Sequence, residues 1–153
     1  MINNLKKIYK EKIFKNQHVV ITGSEGFLGR KLANLYYSLG ANLILIDKKP
    51  RKKINNKKKN IKYFQCNFEK NLEVKNLIKY INKNFKKKNI IINNAAYTGT
   101  DSSWIKPFGK QKIEDWNNVF KVNLDMVFQI SQGLSKKLLK SKGTIINIGS
   151  TFA

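Results

Sequence analysis

Three glycines at a regular three-residue spacing are the strongest chemical signal in this 153-residue sequence. They follow an apolar run at 18–22. A glycine turn between a strand and a helix lets a pyrophosphate approach the backbone, and the helix start supplies N–H groups and a favourable dipole. The pattern therefore predicts a dinucleotide-binding turn, whose residues are Thr22, Gly23, Ser24, Glu25, Gly26, Phe27, Leu28 and Gly29.

A carboxylate lies at the position where such a turn expects one. Asp47 stands 18 residues beyond the third glycine, at the end of a second apolar run. A carboxylate there can accept both hydroxyls of an adenosine ribose and repels a 2′-phosphate, so it favours NAD. The neighbouring Lys48, Lys49 and Arg51 leave NADP open, whereas the uncharged Ser24 again favours NAD. The alternative for Asp47 is an ordinary aspartate in a turn at a strand end.

The elements that must position these residues alternate between strands and helices. The apolar runs are nearly continuous, as in strands buried on both faces, and the segments between them have helical periodicity. This pattern predicts an α/β fold with a doubly wound parallel sheet. Gly40 is expected to end the first helix. The predicted strands are 18–22, 42–47, 61–66, 89–93 and 144–148, and the predicted helices are 27–39, 72–85 and 113–140.

Three further segments resemble the short-chain dehydrogenase/reductase family, and the resemblance covers the chain after residue 13. Asn93-Asn94-Ala95-Ala96 is similar to the family's Asn-Asn-Ala-Gly segment after the fourth strand. Residues 120–124 resemble the helix with the catalytic asparagine, and residues 143–150 resemble the strand that ends in the catalytic serine. The resemblance implies a Rossmann-type sheet of five strands in the order 3-2-1-4-5 between two helical layers. Residues 17–153 would form this incomplete, C-terminally truncated NAD(P)-binding domain, after a lead-in helix at 1–16.

The resemblance also implies roles for individual residues. Ser150 would hydrogen-bond the substrate oxygen, and Asn123 would organise a water in a proton relay. Asn67 would accept a hydrogen bond from the adenine amino group, where the family usually has an aspartate. The cofactor's ribose and adenine would be lined by Asn94, Ala95 and Ala96. The implied reaction is hydride transfer between NAD, or NADP, and a small-molecule hydroxyl or ketone. The segment 93–97 and the loop 97–112 favour surface-carbohydrate metabolism.

The sequence departs from the family's pattern in three ways. The glycine spacing is that of the extended branch, which contains sugar-nucleotide epimerases and dehydratases. Ala96 replaces a glycine. No tyrosine is followed four residues later by a lysine, although the family places Tyr-x-x-x-Lys shortly after its serine and uses the tyrosine as general acid and base. We therefore expect the 153 residues to be inactive alone, and a non-catalytic nucleotide-binding remnant is the alternative.

Composition excludes several other classes of protein. The net charge is +22, yet only two of the 31 basic residues are arginines, so a solvated lysine surface is expected and no specific nucleic-acid partner. No run approaches the roughly 20 apolar residues of a membrane span, so no membrane partner is expected.

Cys66, the only cysteine, fits a cytoplasmic protein, and His18, the only histidine, has no companion ligands for a metal. The full-length protein is expected to be a homo-oligomer.

Overall fold

The structure, a computed structural model, describes residues 12–50, 60–84, 89–99 and 106–149, and these residues form five strands and four α-helices. A π-helical turn, Lys121–Asp125, joins the last two helices, and a short 3₁₀ helix, Phe108–Lys110, precedes them. The strands are β1 His18–Thr22, β2 Asn42–Asp47, β3 Ile61–Gln65, β4 Asn89–Asn93 and β5 Thr144–Asn147. The helices are α1 Phe27–Ser38, α2 Asn71–Asn84, α3 Ile113–Phe120 and α4 Met126–Ser141.

The five strands form one parallel sheet in the order β3-β2-β1-β4-β5, which confirms the predicted topology. The first strand is central, because His18 pairs with Asn42 on one side and with Asn89 on the other. The chain order therefore reverses beside the carboxyl end of β1. In open parallel sheets, ligands bind in the crevice at such a switch point.

Helices cover both faces of the sheet because alternate residues of each strand point to opposite sides. On one face, Val20 and Ile91 belong to a core with α2 and α4, which contribute Leu77 and Ile130. On the other face, the neighbouring strand residues pack with α1 through a smaller core. Members of this second core include Val19, Ile21, Leu43, Leu45, Ile92 and Ala33. The molecule therefore has the predicted three-layer α/β/α arrangement.

The element boundaries agree with the sequence to within one residue, with two corrections. Gly40 follows α1 with a φ of +92°, the left-handed conformation that ends helices, as predicted. The predicted single helix at 113–140 contains the π-helical turn at Lys121–Asp125, so it is three helical pieces. The predicted lead-in helix lies mostly outside the described residues, and its end, residues 13–16, is a turn.

The helices that the structure describes are short and amphipathic. The longest of them, α4, has 16 residues and buries Ile130, Leu134 and Leu138 on one side. Its other side exposes Phe128 and Leu139. Within the described ranges, no helix has the length and apolar character needed to cross a membrane.

Candidate functional site

The glycine turn between β1 and α1 is packed so closely that side chains would not fit. Gly23 has a φ of +65°, and a Cβ there would lie 2.8 Å from the Cα of Ala95. A Cβ on Gly29 would lie 2.1 Å from the carbonyl oxygen of Gly23. Helix α1 begins after Gly26 without a side-chain cap. The first N–H groups of the helix can therefore donate hydrogen bonds to a ligand. The local geometry is therefore that of an anion-binding helix start.

The segment after β4 is bonded directly to this turn. The N–H groups of Asn94 and Ala95 donate to the Thr22 hydroxyl oxygen at 2.9 and 3.0 Å. The Asn94 side-chain amide donates to the carbonyls of Thr22 and Gly23, at 3.0 and 3.2 Å. The side chains of Thr22 and Asn94 thus fix the two loops relative to one another. Both side chains make these hydrogen bonds to the protein's own backbone.

Asp47 lies at the end of β2 with its carboxylate held in one orientation. One oxygen accepts the N–H of Glu25 at 2.9 Å, and the other accepts the N–H of Lys49 at 3.0 Å. The residue is 8% exposed, and it lines the cavity described next. Each carboxylate oxygen has a further lone pair, so Asp47 can still accept ligand hydroxyls.

A cavity of about 360 Å³ lies at the carboxyl ends of the strands. This volume falls in the range of small-molecule and cofactor sites. Its wall contains these predicted cofactor residues: Gly23, Gly26, Phe27, Leu28, Asp47, Asn67, Asn94, Ala95 and Ala96. The other predicted cofactor residues, Thr22, Ser24, Glu25 and Gly29, are buried behind that wall and shape it through the contacts of the turn.

Comparison with known proteins decides the family. Residues 17–153 match the family model described as short chain dehydrogenase. The chain belongs to the short-chain dehydrogenases. Two curated relatives are 3-oxoacyl-[acyl-carrier-protein] reductases, from Salmonella typhimurium (26% identical over 141 residues, 90% of this chain and 56% of the relative) and Rickettsia typhi (30%, 90% and 55%). The chain spans about half the length of these relatives.

A solved structure supports the same assignment. The chain resembles a short chain dehydrogenase of Leptospira borgpetersenii with bound NAD⁺ at 27% identity and a TM-score of 0.77. The match covers 91% of this chain and 53% of that protein. The sequence match to the family model and the similarity of the fold therefore agree on the family of this chain.

Asn123, which the resemblance implies as catalytic, lies in the π-helical turn and bonds to backbone. Its side-chain oxygen accepts the N–H of Tyr97 at 2.8 Å, and its side-chain amide donates to the Tyr97 carbonyl at 3.2 Å. The turn itself forms because the N–H of Met126 donates to the carbonyl of Lys121, five residues earlier. Asn123 thus holds the loop after β4 against the helix.

Tyr97 is a site residue that sequence reasoning did not assign to the cofactor pocket. Its ring lines the cavity, and its hydroxyl donates to the buried Asp115 carboxylate at 2.7 Å. This hydrogen bond and, secondarily, burial raise the pKa of the Tyr97 hydroxyl above its ordinary value. Tyr97 therefore keeps its proton at neutral pH and stays bonded to α3.

Other wall residues that were missed lie within two positions of predicted ones in the sequence. Lys48 and Lys49, which entered only as a possible phosphate contact, line the cavity next to Asp47. Phe68, Glu69 and Val122 also line it. Their position close to predicted residues in the sequence is the one signal that could have identified them. Only the fold shows which residues line the cavity.

Asn67 is on the wall, but part of its hydrogen-bonding capacity is already used. Its side-chain oxygen accepts the N–H of Glu69 at 3.0 Å, and its own N–H donates to a Glu73 carboxylate oxygen at 2.7 Å. That bond is the main reason why the pKa of Glu73 is lowered. The second lone pair of the Asn67 oxygen leaves the predicted adenine contact available.

The predicted serine, Ser150, lies outside the described residues, but the strand leading to it is in place. Asn93 and Asn147 are paired neighbours on β4 and β5, and the Asn93 side-chain amide donates to the Asn147 side-chain oxygen at 2.8 Å. The N–H of Ile148 donates to the Asn93 carbonyl at 2.9 Å. Strand β5 therefore runs toward the same sheet edge as the glycine turn.

Cys66 and the acidic residues do not form a metal site in the described part of the chain, which holds no cluster of three or more candidate ligands. Cys66 is fully buried at the end of β3, and burial, followed by the charge of Glu73, raises its pKa to about 12. It is a thiol at neutral pH, and it is packed in the core with Ile46 and Phe68.

Proposed function

We propose that this chain is the cofactor-binding part of an NAD(P)-dependent oxidoreductase that prefers NAD(H). The proposal depends on one observation: the uncapped start of α1 and the oriented carboxylate of Asp47 lie at the same cavity. The first suits a pyrophosphate and the second suits two ribose hydroxyls. The NAD⁺ in the Leptospira relative supports the same choice.

The reaction that we propose is hydride transfer between the nicotinamide and a hydroxyl or ketone. The two reductases from Salmonella and Rickettsia are named for a ketone substrate, which supports this reaction class. The segment Asn93–Tyr97 and its loop favour a surface-carbohydrate substrate. Ser150 would bond the substrate oxygen. Because no tyrosine is followed four residues later by a lysine, we propose that the 153 residues bind cofactor without turnover.

A homo-oligomer is the assembly that we propose for the full-length protein. The supporting observation is a stripe of exposed apolar side chains along α3, the π-helical turn and the start of α4, here called the apolar stripe. Its members are Ile113, Trp116, Phe120, Leu124 and Phe128, each between 43% and 64% exposed. They span about 22 Å at 1.5 Å per residue, a length that suits packing against a second copy.

Titration of the folded chain with NADH and NADPH tests the proposed function. We expect tighter binding of NADH than of NADPH. We expect Asp47→Asn to reduce that preference by about tenfold or more, because the substitution removes the free energy of hydrogen bonds to a charged group. Asp125→Asn is the matched control, because Asp125 is exposed on the π-helical turn and does not line the cavity. Tighter binding of NADPH by the unmodified chain would overturn the NAD(H) assignment.

A further inference from the structure

Lys48 has two partners at the cavity mouth, and they come from two other strand ends. Its ammonium group lies 3.6 Å from a carboxylate oxygen of Glu69, in the loop after β3. It also lies 5.6 Å from the centre of the Tyr97 ring, in the loop after β4. All three residues line the cavity beside Asp47. The cation nearest in sequence to Asp47 therefore interacts with residues from the loops after β3 and β4.

Only the side chain of Lys48 is free to change partner, because the surrounding backbone is fixed. The N–H of Lys49 donates to Asp47. The carbonyl of Lys48 accepts the side-chain amide of Gln65 at 3.1 Å, and the carbonyl of Lys49 accepts the Tyr63 hydroxyl. The segment after β2 is thus anchored to β3 at successive residues. An exposed lysine side chain on an anchored backbone can turn toward a phosphate without rearrangement of the fold.

We propose that Glu69 is a specificity-determining residue that favours NAD(H) by holding Lys48 away from the position of a 2′-phosphate. The inference rests on the proposed function. In NADP(H) the extra phosphate would lie next to Asp47, where it needs a cation to offset repulsion by the carboxylate. Lys48 is the adjacent cation, and its interaction with Glu69 must be broken before Lys48 can bind the phosphate. Glu69 therefore acts on cofactor choice through Lys48.

The same carboxylate could disfavour NADP(H) by direct repulsion of the phosphate, and the two mechanisms differ in one respect. Direct repulsion persists when Lys48 is neutral, whereas an effect that operates through Lys48 disappears. The Glu69 side chain can be changed without loss of the local turn, because Asn67 is bonded to the Glu69 backbone N–H. A double-mutant cycle on Lys48 and Glu69 separates the two mechanisms.

The experiment measures dissociation constants for NADPH and NADH by nicotinamide fluorescence in the unmodified chain, Glu69→Gln, Lys48→Gln and the double variant. We expect Glu69→Gln to tighten NADPH binding about two- to fivefold, which corresponds to the free energy of one partly exposed ion pair. The affinity for NADH should not change. In the Lys48→Gln background the gain should vanish. Glu114→Gln, an exposed change of equal charge on α3 away from the cavity, controls for net charge.

Three outcomes would overturn the inference. An unchanged NADPH affinity in Glu69→Gln would show that Glu69 does not restrain Lys48. An equal gain with and without Lys48 would assign the effect to direct repulsion. Failure of the unmodified chain to bind either cofactor would overturn the proposed function, and this inference with it, whereas the first two outcomes leave the proposed function intact.

Discussion

Side-chain amides and hydroxyls of the site bond mainly to the protein's own backbone. Asn94 bonds to Thr22 and Gly23, and Asn123 bonds to Tyr97. The sequence motifs identified these residues as part of a cofactor site, and the cavity contains most of them. The motifs did not predict which polar atoms face inward, because this depends on hydrogen bonds between segments up to 73 residues apart. Thr22, for example, was predicted as a residue of the cofactor turn, and its hydroxyl oxygen accepts hydrogen bonds from the N–H groups of Asn94 and Ala95.

Asn123→Ala should destabilise the folded chain by about 1–3 kcal/mol, because it leaves the buried N–H and carbonyl of Tyr97 without their side-chain partner. Asn117→Ala, at an exposed position of α3, is the matched control and should change stability by less than about 0.5 kcal/mol. Urea unfolding followed by circular dichroism measures both. Equal stability of the two variants would show that the Asn123 side chain does not hold the loop.

At the scale of elements, strands were easier to predict than the helical region after β4. Strands β1, β2 and β4 have the predicted bounds because their residues are apolar on both faces and end at polar or glycine positions. The π-helical turn at Lys121–Asp125 was not predicted, because one inserted residue in a long helix leaves the apolar periodicity almost unchanged. Contacts with the Tyr97 loop, remote in the sequence, accompany that turn.

The apolar stripe is expected to make the chain self-associate. Because each copy carries a net charge of +22, repulsion should oppose association at low salt, and added salt should strengthen it. Sedimentation velocity across a salt series is the measurement. Phe120→Glu should return the chain to a monomer, whereas Leu139→Glu, also exposed but outside the stripe, should not. Monomers at every salt and protein concentration would contradict the proposed contact.

At the scale of the whole molecule, the family resemblance implied the strand order that the structure has. The order is consistent with local strand–helix units joined by right-handed crossovers. The strand order places the ends of β1, β2 and β4 around one crevice, so motifs far apart in sequence meet there. The large positive charge did not predict the site, because lysines spread over a surface influence solubility and association more than fold. We propose that this crevice binds a dinucleotide through the glycine turn.

The most direct test of that claim compares valine substitutions at two glycines by NADH titration. Gly23→Val places a branched side chain at a positive φ and against the Ala95 backbone, so binding should be abolished. Gly109→Val adds the same atoms where a Cβ would meet nothing within 4 Å, so binding should be retained. Circular dichroism should show that both variants are folded. NADH affinity that is equal in a folded Gly23→Val variant and in Gly109→Val would contradict the account.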